Sequence, residues 1–215
     1  MSSIPAYFQT LLDWKKLPAY RMEPRVDSIV GFALPQILSH VRGLEVATVI
    51  PELPLRIGSV QPDHEGKDYS NKSYKVDFFV VTKCGTNLLV EFKTDSGSRR
   101  DKQDKYLESA QTEGLDAVIS GILLLYEATT YKKKYRHLLA KLEEAGLIQS
   151  TGDGYESSAV NDELNILYVQ PHAKEGDEER DVLDFEDAAQ ALEEHYEGDE
   201  FMLTAAQAFR SWAGD

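Results

Sequence analysis

Two apolar runs constrain this chain more than anything else in it. YKVDFFVVT (74–82) and LLVEFKT (88–94) are separated only by KCGTN (83–87). Runs rich in β-branched and aromatic residues around a connector bearing Gly and Asn predict a β-hairpin. Four charged residues fall within the runs: Lys75 and Asp77 in the first, Glu91 and Lys93 in the second. Side chains alternate along a strand, so Glu91 and Lys93, two apart, project from one face. Burying an unpaired carboxylate costs several kcal/mol, so a strand reading VEFK needs a metal, an ion pair or access to solvent. Two carboxylates on neighbouring strands suit a hard divalent cation, which takes oxygen ligands. The backbone carbonyl of Phe92 would complete the arc, with Lys93 beside it.

The rest of the chain reads as a mixture of helices and strands. Tyr7, Leu11, Leu12 and Trp14 predict a short first helix that stops before Pro18. Val26, Ile29, Val30, Ala33, Leu34, Ile37, Leu38 and Val41 recur at three and four, which predicts a core-facing helix from Pro24 to Val41, kinked or broken at Pro35. EVATVIPELPLRI (45–57), with two prolines, reads as an edge strand or a strand with a bulge, and 58–73 as a mobile loop. Ser98 and Asp101 have capping-box spacing ahead of a helix over Arg99–Glu113. Two more helices are expected in LDAVISGILLLYEATT and TTYKKKYRHLLAKLEEAGLI, the latter stopped by Gly146. TGDGYESSAVND is read as loop, Leu164–Gln170 as a strand, and DFEDAAQALEEH and EFMLTAAQAFRSW as closing helices.

Charge bears on partners. The net charge is −14, from 23 basic and 37 acidic residues, which at first argues against a polyanionic substrate. Residues 175–200 alone hold 13 acidic residues and one basic, so the remainder is near neutral and compatible with local basic patches. The acidic run reads as a solvated face and linker, with docking of a protein partner left open. No apolar run approaches the ~18 residues of a membrane span, and no basic-then-apolar leader stands at the start, so a cytoplasmic protein with no membrane partner is expected. The single Cys84 excludes an intrachain disulfide and a cysteine zinc cage, and the five histidines show no paired ligand spacing.

Asp77, thirteen residues, then Glu91-Phe92-Lys93 on a hairpin, preceded by a helix and a strand and followed by a helix, resembles the PD-(D/E)XK nuclease superfamily. The resemblance covers roughly residues 23–113, with Val76-Asp77 where the family usually has Pro-Asp. It implies an α/β fold with a restriction-endonuclease-like core. That core is a mixed central sheet of about four strands flanked by helices, with a helical insertion near 115–147 and further helices at the C-terminus. The nuclease-like domain would take residues 1–174, with the acidic segment and last helices, 175–215, packing on it. Asp77, Glu91 and the Phe92 carbonyl would hold Mg²⁺ or Mn²⁺, and Lys93 would orient or activate the attacking water. Glu23 is the best match to a glutamate that many members use on the preceding helix, with Asp27 and Glu52 as weaker matches. The implied activity is metal-dependent hydrolysis of phosphodiester bonds in DNA, RNA being open. A catalytically inactive module that keeps the fold for binding a protein or nucleic acid is the alternative.

Around that centre, Arg99, Arg100 and Lys102 suit contacts with phosphates, as would the helix N-terminus they surround. Some members add a glutamine and tyrosine on this helix. Gln103 and Tyr106 stand here three apart instead of the usual four, a departure from that subfamily. YKKKYRH (131–137) interleaves two tyrosines with four Lys and Arg residues, which suits either backbone contact with base stacking or a solvated helix face. Homo-oligomerisation stays open.

Overall fold

The computed structural model describes residues 3–15, 23–60, 72–95, 101–159, 163–174 and 176–213. Among them run α1 (Ser3–Lys15), α2 (Glu23–Arg42), β1 (Val46–Arg56), α3 (Ile57–Val60), β2 (Ser73–Thr82), β3 (Thr86–Phe92), α4 (Asp101–Ala128) and α5 (Lys132–Glu144). They are followed by β4 (Ile148–Thr151), β5 (Gly154–Ser157), β6 (Glu163–Gln170), β7 (Val182–Asp184), α6 (Phe185–His195) and α7 (Glu200–Ala213). The protein is α/β, with a mixed five-stranded sheet in the order β1-β2-β3-β6-β7 and a separate two-stranded sheet of β4 and β5. The chain divides into two compact units, Met1–Val46 with Val90–Arg99 and Leu167–Asp215, and Ala47–Leu89 with Arg100–Ile166.

In the first unit, α2 buries Val26, Val30, Ala33, Leu34, Ile37 and Leu38, the face its periodicity predicts. The helix runs on through Pro35, where a kink or break is expected. Proline inside a helix forfeits a hydrogen bond and costs about 3 kcal/mol, but Leu34, Ile37 and Leu38 on either side are buried and hold the turn. α6 starts at Asp184, whose carboxylate accepts the Asp187 N–H at 2.9 Å, and packs its Ala188, Ala189, Ala191 and Leu192 face inward. Arg210 of α7 reaches back to Glu186, at 2.8 Å, and Glu193 on α6. The core gathers Phe185, Phe209 and Trp212, with Phe185–Phe209 centroids 5.1 Å apart. In α1, Phe8 and Leu11 are buried while Tyr7, expected inside, is 46% exposed. The side chains of Leu12 and Trp14 lie outside the described residues.

In the second unit, β1 ends the sheet order, as its two prolines predict for an edge strand. Glu52, between Pro51 and Pro54, takes a positive φ of 55°, and its carboxylate pairs with Lys75 of β2. β2 and β3 are joined across residues 83–85, where Thr82 Oγ1 donates to the Thr86 carbonyl at 2.5 Å and Asn87 Nδ2 to the Gly85 carbonyl at 3.2 Å. α4 is two helices meeting at Gly114 (φ 83°, ψ 170°), a conformation costly for any residue with a Cβ. The second half confirms LDAVISGILLLYEA as helical, burying Val118, Ile119, Ile122 and Leu125.

Several expectations need correction. The sheet has five strands where about four were expected, because β7 lies within the acidic 175–200 run that reads as solvated face and linker. β7 pairs in parallel with β6, Val169 opposite Leu183. The loop expected at 151–162 contains β5, which pairs antiparallel with β4 across a two-residue connection. Residues 57–60 are helical where a loop is expected from 58, and residues 61–71 of that loop lie outside the described residues. The capping box falls there too, at Ser98 and at the Asp101 side chain.

Candidate functional site

β3 is anchored from one side. Phe92 turns its ring onto Phe185 at 6.0 Å, and Phe185 packs in turn on Phe209 and Trp212. With Phe92 facing that core, the period of two turns Glu91 and Lys93 to the opposite face. The Lys93 N–H donates to the Val169 carbonyl at 2.9 Å, so pairing with β6 continues past the last strand residue and fixes the Lys93 backbone.

Both charged side chains are inside: Glu91 is 0% exposed and Lys93 6%. The Lys93 ammonium donates to Glu91 Oε1 and, at 3.0 Å, to the Phe92 carbonyl. An ammonium thus stands between the carboxylate and carbonyl oxygens that the sequence nominates for a cation. In surroundings of low dielectric this attraction is much stronger than at a surface, and so is the penalty for removing either partner.

Further along β6, Gln170 is 0% exposed and Asp177 6%. Asp177 accepts from Gln170 Nε2 at 3.0 Å, from the Lys174 N–H at 3.0 Å and from Arg180 at 3.4 Å, while Gln170 also donates to the His172 carbonyl at 2.9 Å. This buried cluster shapes the crossing from β6 to β7. Nothing in the sequence distinguishes Asp177 from the other acids of the 175–200 run.

The remaining nominated residues fall as follows. Asp77 is half-buried on β2, in the second unit, between the buried Val76 and Phe78. Glu23 opens α2, half-buried, in the unit that holds Glu91 and Lys93. Asp27 is on the first turns of α2, and Glu52 is exposed, paired with Lys75. Tyr106 points inward, 7% exposed, its hydroxyl donating to the Lys75 carbonyl at 3.0 Å and its ring stacked on Tyr74 at 4.4 Å. Lys102 is exposed and its ammonium lies 5.4 Å from the Tyr74 ring centroid, while Gln103 is half-buried. Arg99 and Arg100 lie outside the described residues.

The Glu91 carboxylate and Phe92 carbonyl are hard oxygen donors, the type that Mg²⁺ or Mn²⁺ takes, and both accept here from the Lys93 ammonium. Among the described residues, no group of three or more His, Cys, Asp and Glu side chains is gathered to hold a metal ion. None of the described helices is long and apolar enough to cross a membrane. Cys84 is exposed, and a hydrogen bond with the Thr82 hydroxyl, 3.3 Å away, leads the causes that lower its pKa from the ordinary thiol value. Comparison of the chain with protein-family models, with curated proteins and with solved structures gives no match in any of the three.

Proposed function

We propose that the protein is a metal-dependent nuclease of the PD-(D/E)XK type, acting on phosphodiester bonds in DNA. The observation that carries this reading is the Glu91–Lys93 pair: a carboxylate and an ammonium buried together on an interior strand, with the intervening carbonyl turned to the same cation. Charged groups are rarely placed inside without a use that repays their desolvation. Glu91 and the Phe92 carbonyl would hold the divalent ion. Asp77 and Glu23 are nominated by the sequence resemblance alone. When bound, the ion supplies Lewis-acid stabilisation of the phosphate and of the attacking oxygen. With the carboxylate engaged by the ion, Lys93 keeps three donors and one positive charge, enough to orient the incoming water and to offset charge developing on the phosphate. Lys102 is exposed and available to phosphate oxygens.

The test is cleavage of single- and double-stranded DNA in Mg²⁺ or Mn²⁺ by the wild type, Asp77→Asn and Lys93→Ala. Fold is monitored by circular dichroism, since Lys93 is buried. Activity in the wild type alone, abolished by EDTA, is expected; equal cleavage by all three proteins refutes the reading. A second reading, an inactive module that keeps the fold for binding, is favoured by the mutual pairing of Glu91 and Lys93, which is also what a purely structural ion pair looks like. Calorimetric titration with Mn²⁺ separates the two, because the module has no site-specific binding that Glu91→Gln removes.

A further inference from the structure

Residues 128–142 carry five Lys and Arg residues and no Asp or Glu, in a chain whose net charge is −14. They form the end of α4, a three-residue connection and most of α5. Leu139 and Leu142 are buried and Tyr135 half-buried, so the inner side of α5 is taken up by the unit it packs in. Lys133, Lys134, Arg136, His137 and Ala140 are exposed on the other side. Lys133, His137 and Lys141 form one i, i+4 row, flanked by Lys134 and Arg136. Lys132 is spent elsewhere. Its ammonium donates to the last carbonyls of α4, at Tyr126 and, at 2.9 Å, Glu127, and lies 4.4 Å from the Tyr126 ring centroid. Lys133, Lys134 and Arg136 have no acidic partner among the described residues.

The C-terminal end of α5 is tied to its neighbours in the second unit. Glu143, just past the basic row, accepts from the Ser150 N–H at 3.2 Å and the Ser150 hydroxyl at 2.5 Å, which ties β4 to the end of α5. Ser158 bonds back to the carbonyls of Gly146 and Leu147, at 2.8 and 2.9 Å. Tyr155 meets Tyr126 edge-on at 6.2 Å, and the Ser157 hydroxyl donates to Asp116 at 2.6 Å, which secures the hairpin to α4. Tyr131, 72% exposed, stands at the N-terminus of the basic face.

We infer that α5 is a binding surface for duplex DNA, with Lys133, Lys134 and Arg136 contacting phosphates along one edge of the major groove. The three lie within one turn of α5, a rise of about 4.5 Å, and a helix about 10–12 Å across with its side chains matches the ~12 Å width of the B-form major groove. A-form RNA offers a deep, narrow major groove that a helix does not enter. Insertion of a helix into a membrane interface requires a free apolar face, and the apolar side of α5 is already buried, which leaves a membrane only about 1 kcal/mol of surface attraction per basic residue. This surface needs neither a metal nor cleavage, so it stands apart from the nuclease reading.

The experiment is fluorescence anisotropy of a fluorescein-labelled B-form duplex titrated with the full-length protein in EDTA, over 50–200 mM NaCl. Three phosphate contacts give a slope of log K against log salt of about −2.7, an affinity loss of roughly 40-fold across that range. The variant Lys133→Gln/Lys134→Gln/Arg136→Gln should lose most of that slope and bind at least about tenfold more weakly at 50 mM. Lys72→Gln/Lys83→Gln/Lys105→Gln removes the same charge from exposed positions elsewhere and should keep both affinity and slope. Thermal melts of the two variants should match the wild type, since none of the six side chains is buried. No binding by the wild type, equal losses in both variants, or equal affinity for an RNA duplex overturns the inference. Binding of phosphatidylserine vesicles through the same three residues, with none to DNA, also overturns it.

Discussion

Lys93→Met is the most informative single change for the buried pair. It keeps the length of the side chain, removes the ammonium, and leaves the Glu91 carboxylate at 0% exposure without its nearest counter-charge. Removing one partner of a buried ion pair costs about 3–5 kcal/mol, because the survivor keeps its desolvation penalty. For a chain of this length, each kcal/mol lowers Tm by about 2–4 °C, so a fall of roughly 6–20 °C is expected. Glu91→Leu, which takes the carboxylate from the buried ammonium instead, should cost a similar amount. The double variant Glu91→Leu/Lys93→Met replaces the pair by apolar groups of comparable volume and should recover to within about 1–2 kcal/mol of the wild type. The coupling in this cycle is therefore about 4 kcal/mol or more, read from urea unfolding at pH 7 followed by circular dichroism, with unchanged m-values confirming that stability alone has moved. Single variants that each cost less than about 1 kcal/mol and combine additively would refute the reasoning, since that is how an exposed pair behaves.

Two further predictions test the second unit. Gly121→Ala should destabilise although alanine gains about 1 kcal/mol of helix propensity over glycine. A Cβ there would stand 2.8 Å from Ser59 Oγ and 3.2 Å from Arg56 Cβ, and relieving that overlap costs about 1–3 kcal/mol; a higher melting temperature in this variant would contradict the close approach of α3 to α4. Thr82→Val should slow alkylation of Cys84 by iodoacetamide at neutral pH. The Thr82 hydroxyl, which donates to the Thr86 carbonyl beside the neutral thiol, turns its one proton to the thiolate and so lowers the Cys84 pKa, and its loss leaves less thiolate at a given pH; unchanged rates would show that the hydrogen bond has no such effect.

The long elements were legible because burial imposes a period on many residues at once. α2 shows its inward face at three and four over 20 residues, and β2, β3 and β6 each carry a run of buried apolar side chains, at Phe78–Val81, Leu88–Val90 and Leu167–Val169. β4, β5 and β7, at four, four and three residues, are too short to show a period. Asp153-Gly154 was the available turn signal for β4 and β5, whereas β7 is hidden by the acids on either side of it. For the candidate site, alternation along the strand was enough to put Glu91 and Lys93 on one face. That this face is buried, that the Lys93 ammonium reaches both the Glu91 carboxylate and the Phe92 carbonyl, and that Tyr106 turns inward to the Lys75 carbonyl came from the packing of the fold. The difference is physical: side-chain direction along a strand is set by local backbone geometry, while the dielectric around a charge and the partners it meets depend on segments distant in the chain.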